Sequence, residues 1–161
     1  MPWEVTIVNY EGRPPASYRA PDRPESKPLG GREEVIAHIK QALPELEWGE
    51  SGNFPPEILQ TFSPEIRALM SKSQVQAVHD GEDFSIELYA FEQEPIMYLH
   101  ADIRGEGNPL VLLDRMCSPR KWSVVSNFDG SVVDLQASSA AQWDFFRAWR
   151  NRAIATTSEE A

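Results

Sequence analysis

From Gln74 to Leu135 apolar and polar residues alternate in short runs, and each run ends at a turn signal. Asp80-Gly81 separates the first two runs, and Asp-Gly readily takes the positive φ angles of a tight hairpin. Pairing His79 with Glu82 sets Ala77 opposite Phe84 and Val75 opposite Ile86. The apolar residues of both strands then share a face, which a slip of one residue would destroy. The second strand continues through Leu88 and Ala90. A third run, from Pro95, puts Met97, Leu99, Ala101 and Ile103 on one face. A four-residue loop from Glu92 to Pro95 would pair Leu88 with Leu99 and Ile86 with Ala101. A two-residue loop also keeps the faces matched, so the register stays open. The opposite face carries Glu87, Tyr89, Tyr98, His100, Asp102 and Arg104. Under the longer loop Glu87 lies across from His100 and Tyr89 across from Tyr98. A sheet of this kind needs helices on its apolar side.

Asn108-Pro109 opens a helix, because Asn caps free amides and proline suits the first helical position. Leu110, Leu113, Met116 and Cys117 follow at helical spacing, and Ser118-Pro119 ends it. Trp122, Val124 and Val125 return to strand character, and Asp129-Gly130 turns the chain into Val132, Val133 and Leu135. Upstream, Trp3 to Tyr10 alternates as a first strand. Glu11 to Leu29 holds Pro14, Pro15, Pro21, Pro24 and Pro28 and reads as an extended loop without regular structure. An ordinary connection is the plainer reading of it, since only some loops of this length are functional. Arg32 to Leu43 is a helix with the stripe Val35, Ile36, Ile39 and Leu43, closed by Pro44. His38 lies off that stripe and reads as a solvated helix residue. Glu45 to Ser73 is irregular, with proline-opened helical turns at Pro56 and Pro64. It is expected to pack over a sheet edge or a helix, and it or the last helix to cover the outer face of the sheet, on which Phe91 and Ile96 also fall. That helix, from about Ser139 to Ile154, holds Trp143, Phe145, Phe146 and Trp149 on more than one side. Arg147, Arg150 and Arg152 near its end would complement the helix dipole. Residues 156–161 should fray.

In order these elements make strand, helix, strand pair, strand, helix and strand. That order predicts an α+β fold: a ferredoxin-like βαββαβ core with an antiparallel sheet, an extra hairpin strand and a C-terminal helix. A chain of 161 residues fits one domain, with no repeat or linker. Asp102-Ile103-Arg104-Gly105, Asn108-Pro109, the helix holding Cys117, Trp122, and Asp129-Gly130 before Val133-Asp134-Leu135 resemble a widespread group of small uncharacterised bacterial proteins. Trp3-Glu4-Val5 and Pro28-Leu29-Gly30 add to the resemblance. The shared motifs are turns, caps and core positions, so the resemblance implies a fold and no activity. In size and plan the chain is also similar to toxin-neutralising immunity proteins, which implies a protein partner.

Charge narrows the functions. The net charge is −10. That argues against a general nucleic-acid binder, which neutralises phosphates with Lys and Arg, and against anionic membrane surfaces. No apolar run approaches membrane-spanning length. The N-terminus lacks a basic region followed by an apolar run, and the single cysteine, Cys117, makes an intrachain disulfide impossible. Both point to the cytoplasm. Cys117 reads as a small buried hydrophobe.

Three groups of residues carry candidate chemistry. His100 and Asp102, two apart on a strand, share a face and could meet one metal ion. No histidine follows, so a third ligand is lacking and no metal is assigned. Glu87, His100 and Asp102 beside Tyr89 and Tyr98 could act as acid and base, although such clusters also occur on plain sheet faces. Gly105-Glu106-Gly107 precedes a helix and could hold an anion, but Leu110 stands where a dinucleotide fingerprint has its third glycine, so a turn and cap is the better reading. No cofactor motif is present. These readings favour a non-enzymatic cytoplasmic protein-interaction module, monomeric or weakly dimeric. The alternative is a small-molecule enzyme or binding domain using the polar face around Tyr98 and His100.

Overall fold

The computed structural model describes residues 2–51, 55–70, 74–135 and 141–160. Along the chain run β1 (Trp3–Tyr10), β2 (Ser26–Lys27), α1 (Arg32–Ala42), β3 (Glu47–Ser51), α2 (Pro56–Leu59) and α3 (Pro64–Met70). Then come β4 (Gln74–Asp80), β5 (Phe84–Tyr89), β6 (Leu99–Gly105), α4 (Leu110–Cys117), β7 (Ser123–Ser126) and α5 (Ala141–Glu160). The fold is α+β, built on a seven-stranded sheet ordered β2-β1-β6-β5-β4-β3, with β7 also paired to β1. Every pairing is antiparallel. Among the described residues no helix is long and apolar enough to cross a membrane.

The two-residue period of the strands divides the molecule into layers. Trp3, Val5 and Ile7 of β1, Ile86 and Leu88 of β5, Leu99, Ala101 and Ile103 of β6 and Val124 of β7 form the inner face and are buried. α1 contributes Val35 and Ile39, and α4 contributes Leu110, Leu113, Met116 and Cys117 to the same core. α5 adds Trp143 and Phe146, whose rings lie 5.3 and 6.0 Å from Trp3. α4 begins as its sequence predicts: the Leu110 amide donates to Asn108 Oδ1 at 3.0 Å.

Several expectations are corrected. The sheet order differs from a bare βαββαβ plan, because β3 and β4 stand between α1 and β5 in sequence and extend the sheet beyond β5. Glu45–Ser73 was expected to be irregular, yet Glu47–Ser51 forms edge strand β3 on β4. The β4–β5 register is shifted by four residues: Ala77 pairs with Leu88 and His79 with Ile86. Asp80-Gly81 is no two-residue turn, since the Gly81 amide closes a wider loop by donating to Phe84 O at 3.0 Å. The β5–β6 register is shifted by two, with Leu88 opposite Ala101 and Ile86 opposite Ile103. Even shifts keep the faces, so the apolar sets still meet.

The second shift has a local cause. Ala90 takes φ +80°, which breaks the strand and reverses the side-chain alternation. Phe91 and Ile96, expected on the outer face, are both fully buried in the core, while Met97, expected in the core, is exposed. His38 is no solvated helix residue. Its Nε2–H donates to Met116 O at 2.8 Å and its ring meets Trp122 edge-on at 5.1 Å. α5 does not fray from Thr156 but runs to Glu160, and its expected start at Ser139 lies outside the described residues. Arg147 and Arg150 therefore do not sit at a helix end: both pair with Glu106.

Glu106 occupies a tight turn. The Glu106 and Gly107 amides donate to Asp83 O at 3.0 and 2.9 Å. Gly105 has φ +106°, and a Cβ there would stand 2.5 Å from Asp83 O and 2.7 Å from Phe84 Cα. Both neighbours are backbone and cannot swing away. Gly105→Ala is expected to destabilise the fold by about 2–4 kcal/mol, from strained backbone and overpacking together. Urea unfolding measures it, and a variant within about 0.5 kcal/mol of the parent would contradict this geometry.

Candidate functional site

The outer face of the sheet carries the even-numbered residues of β1 and β6 and the odd-numbered residues of β5. Glu87 pairs with Asp102, and Tyr89 with His100. This corrects the expected pairings of Glu87 with His100 and of Tyr89 with Tyr98. The five sequence candidates nevertheless gather on one face. The Tyr89 hydroxyl donates to Asp102 Oδ1 at 3.2 Å. The rings of Tyr89 and Tyr98 lie 5.4 and 5.0 Å from that of His100. Glu87, Tyr89 and Asp102 also line a shallow cleft of ≈ 250 Å³.

The hydrogen bonds give these side chains separate duties. Thr6 donates its hydroxyl proton to Asn127 Oδ1 at 2.9 Å, so its oxygen accepts from His100 Nδ1–H at 3.2 Å. In the neutral ring Nε2 is then the unprotonated nitrogen. The Tyr89 phenol is pushed up to about 12. Burial is the largest cause, followed by the Asp102 charge and the bond to it, then Glu4 and Glu87. Tyr89 is thus held protonated as a donor, the opposite of what a catalytic base requires. Among the described residues no group of three His, Cys, Asp or Glu side chains could hold a metal ion.

The other two candidates are absorbed by the fold. The amides of Glu106 and Gly107 are spent on Asp83, and the Glu106 carboxylate takes Arg150 and Arg147, which leaves no anion site in that turn. Cys117 is fully buried, and burial with the Asp114 charge raises its thiol well above the usual range.

A feature missed by sequence reading stands beside the cluster. The Pro-rich segment does not run as a free connection but is fastened where its ends meet and near its middle. At its ends the Glu11 amide donates to Glu25 O at 2.8 Å, and Ser26 and Lys27 pair with Tyr10 and Asn9. Near its middle the Tyr18 amide donates to Gly130 O at 3.0 Å and the Val132 amide to Ala16 O at 3.0 Å. Gly130, at φ +79°, lets the Tyr18 ring lie close: a Cβ there would be 3.0 Å from Tyr18 Cε1. The strapped segment covers part of the outer face and walls an open cleft of ≈ 630 Å³. Thr6, Val8 and Tyr10 of β1 form one wall, and Tyr18, Arg23 and Pro24 form another. Arg23 lies over the Tyr18 ring at 5.6 Å. Burial raises the Tyr10 phenol, and Arg23 pulls it the other way. Thr6 joins this cleft to His100.

Of the covers expected for the outer face, neither β3 nor the aromatic stripe of α5 supplies it. β3 extends the sheet edge and α5 packs against Trp3 on the inner face. Part of the cover is the Pro-rich segment, whose signal in the sequence was only one tyrosine, Tyr18, and three arginines among prolines. No family model matches the chain, and no curated protein or solved structure matches it.

Because the Tyr89 phenol is raised in the folded state above its ordinary value near 10, stability drawn from it is full below pH ~10. It is lost as pH rises towards ~12, where the unfolded chain has already released the proton. The urea midpoint should fall over this window, and by less in Tyr89→Phe. In Asp102→Asn the Tyr89 ring resonance should titrate at lower pH than in the parent. An unmoved titration would remove Asp102 as a cause.

Proposed function

We propose that the protein is a non-catalytic binding module that takes a small molecule in the cleft between β1 and the Pro-rich segment. The carrying observation is that cleft. Its ≈ 630 Å³ falls within the roughly 300–1,000 Å³ of small-molecule sites. Its walls mix apolar Val8, Val125 and Pro24 with the aromatic faces of Tyr10 and Tyr18 and the polar groups of Thr6, Asn127 and Arg23. That mixture suits a flat organic ligand with a few polar substituents. The cluster Glu87, Tyr89, Tyr98, His100 and Asp102 serves it as a rigid neighbour. The Thr6 hydroxyl is fixed between His100 and Asn127, which holds the polar edge of the cleft in place.

A second reading, a cytoplasmic protein-interaction module of the immunity type, draws support from Met97 and Tyr98. These adjacent side chains are 38% and 42% exposed at the rim of the same face, in a chain of net charge −10. In either reading the protein is a monomer or weak homodimer. The neighbours β7-β1-β6-β5 support describing the sheet as a ferredoxin-like core with β4 and β3 added at one edge.

Val8 points into the cleft from a strand whose other face is core, so Val8→Trp fills the cleft without touching the packing of Val5 and Ile7. In a fragment screen by NMR, aromatic fragments should shift the Tyr10 and Tyr18 ring signals of the parent. In Val8→Trp those fragments should bind roughly tenfold more weakly or not at all, with the thermal midpoint kept. Fragments that ignore the cleft, or bind Val8→Trp as well as the parent, would dispose of the small-molecule reading.

A further inference from the structure

A second cavity, of ≈ 970 Å³, lies beyond the end of β1. It is walled by the start of the Pro-rich segment, the α4–β7 connection and the return segment after Gly130. Its lining includes Arg13, Lys27, Arg120 and Lys121, and Asp134 is the single acid among the described lining residues. The whole chain has 15 Lys and Arg against 25 Asp and Glu. A groove lined in the opposite proportion is a local reversal of the protein's charge.

These cations are placed rather than scattered. Lys27 is held by the pairing of β2 with Asn9. Lys121 sits in the left-handed region at φ +57°, between the Lys121 amide on Ser118 O and the Trp122 amide on Cys117 O. Arg120 pairs with Glu34 at 2.6 Å. Among the described residues Arg13, Lys27 and Lys121 have no ion pair. Arg13, Lys27 and Lys121, on three separate segments, outnumber the one acid of the lining, Asp134, and an anion in the groove relieves the repulsion among them. Between them the lining is apolar, with Pro14, Pro15, Trp122, Val133 and Leu135.

We propose that this groove binds a small organic polyanion: a nucleotide-like molecule with two or more phosphate groups for the cations and a flat body for the proline and tryptophan surface. Cations on separate walls require more than one anionic group. The size of the groove admits such a molecule. A long polyanion is disfavoured, because beyond the groove the net charge of −10 repels it. The site is distinct from the cleft of the preceding section, with which it shares Tyr10.

The test is titration of the full chain with ATP at low ionic strength, followed by amide NMR shifts. Saturable shifts at Gly12, Lys27 and Lys121, with Thr6 and Asn127 still, are expected. The double variant Arg13→Glu/Lys27→Glu should bind ATP roughly tenfold more weakly or worse, and added salt should weaken binding to the parent. If charge reversal lowers the thermal midpoint, Arg13→Gln/Lys27→Gln replaces it with the same expectation. Inorganic tripolyphosphate should bind more weakly than ATP, and Val8→Trp should bind ATP as the parent does, which separates this site from the other cleft. The proposal is overturned by no saturable shift at about 5 mM ATP, a range that already corresponds to only about 3 kcal/mol. It is equally overturned by unchanged affinity in both double variants, by shifts confined to Thr6 and Asn127, or by an oligoglutamate peptide that binds more tightly than ATP.

Discussion

The burial of the Trp3 indole is the interaction on which the rest of the molecule depends. Trp3 is fully buried, donates its Nε1–H to Ser126 Oγ of β7 at 2.9 Å, stands opposite Ile103 of β6, and packs on Trp143 and Phe146 of α5. One side chain thus joins both neighbours of β1 to the last helix. A ring of this size contributes a large share of core burial, and its polar edge is satisfied without water. Once Trp3 faces inward, the two-residue period sends Val5 and Ile7 inward and Glu4, Thr6, Val8 and Tyr10 outward. The outer cleft is therefore a consequence of where one tryptophan is buried. Its wall is the reverse side of the strand that the core holds most firmly.

Charge provides a second set of ties, and they are local. Glu106 receives Arg150, whose side chain is nearly buried, and Arg147, so the β6–α4 turn is fastened to the middle of α5. The Glu106 side chain is exposed, and exposed pairs contribute little. The packing of Trp143 and Phe146 carries the docking of α5, while the arginines set its rotation. Elsewhere acids outnumber bases, and the cations near Trp122 reverse that proportion locally.

The strand faces were legible because they depend only on parity. Registers off by four and by two residues still brought Ala77, Ile86, Leu88 and Ala101 to one side. α1 and α4 were legible for the same kind of reason, since periodicity and an Asn-Pro start are written in adjacent residues. What failed was whatever depends on contacts made far along the chain. Ala90 takes a positive φ that its residue type does not advertise, and beyond it Phe91 turns into the core against Trp48, with ring centroids 5.2 Å apart. β3 lacks strand composition around Gly49 and forms because β4 offers it a free edge. The candidate residues Glu87, Tyr89, Tyr98, His100 and Asp102 were gathered correctly on one face, yet their partner Thr6 lies in a distant strand and no spacing rule reaches it. The Pro-rich segment was hardest of all, because its order comes from single bonds to Gly130 and Ala16–Val132 rather than from any period of its own.

That segment gives the two cavities a common mechanical basis. Residues 11–27 wall the outer cleft through Tyr18, Arg23 and Pro24, and wall the cationic groove through Arg13, Pro14, Pro15 and Lys27. Tyr10 lines both, its phenol raised by burial and drawn the other way by the Arg23 charge. Prolines limit the conformations open to such a segment, so it is a stiff strap between its fastenings rather than a coil. A ligand couples two sites only if it favours one arrangement of what they share. Here the shared part is named: the strap and the tyrosine beneath it, fastened to the outer edge of the strand that Trp3 anchors from the other side.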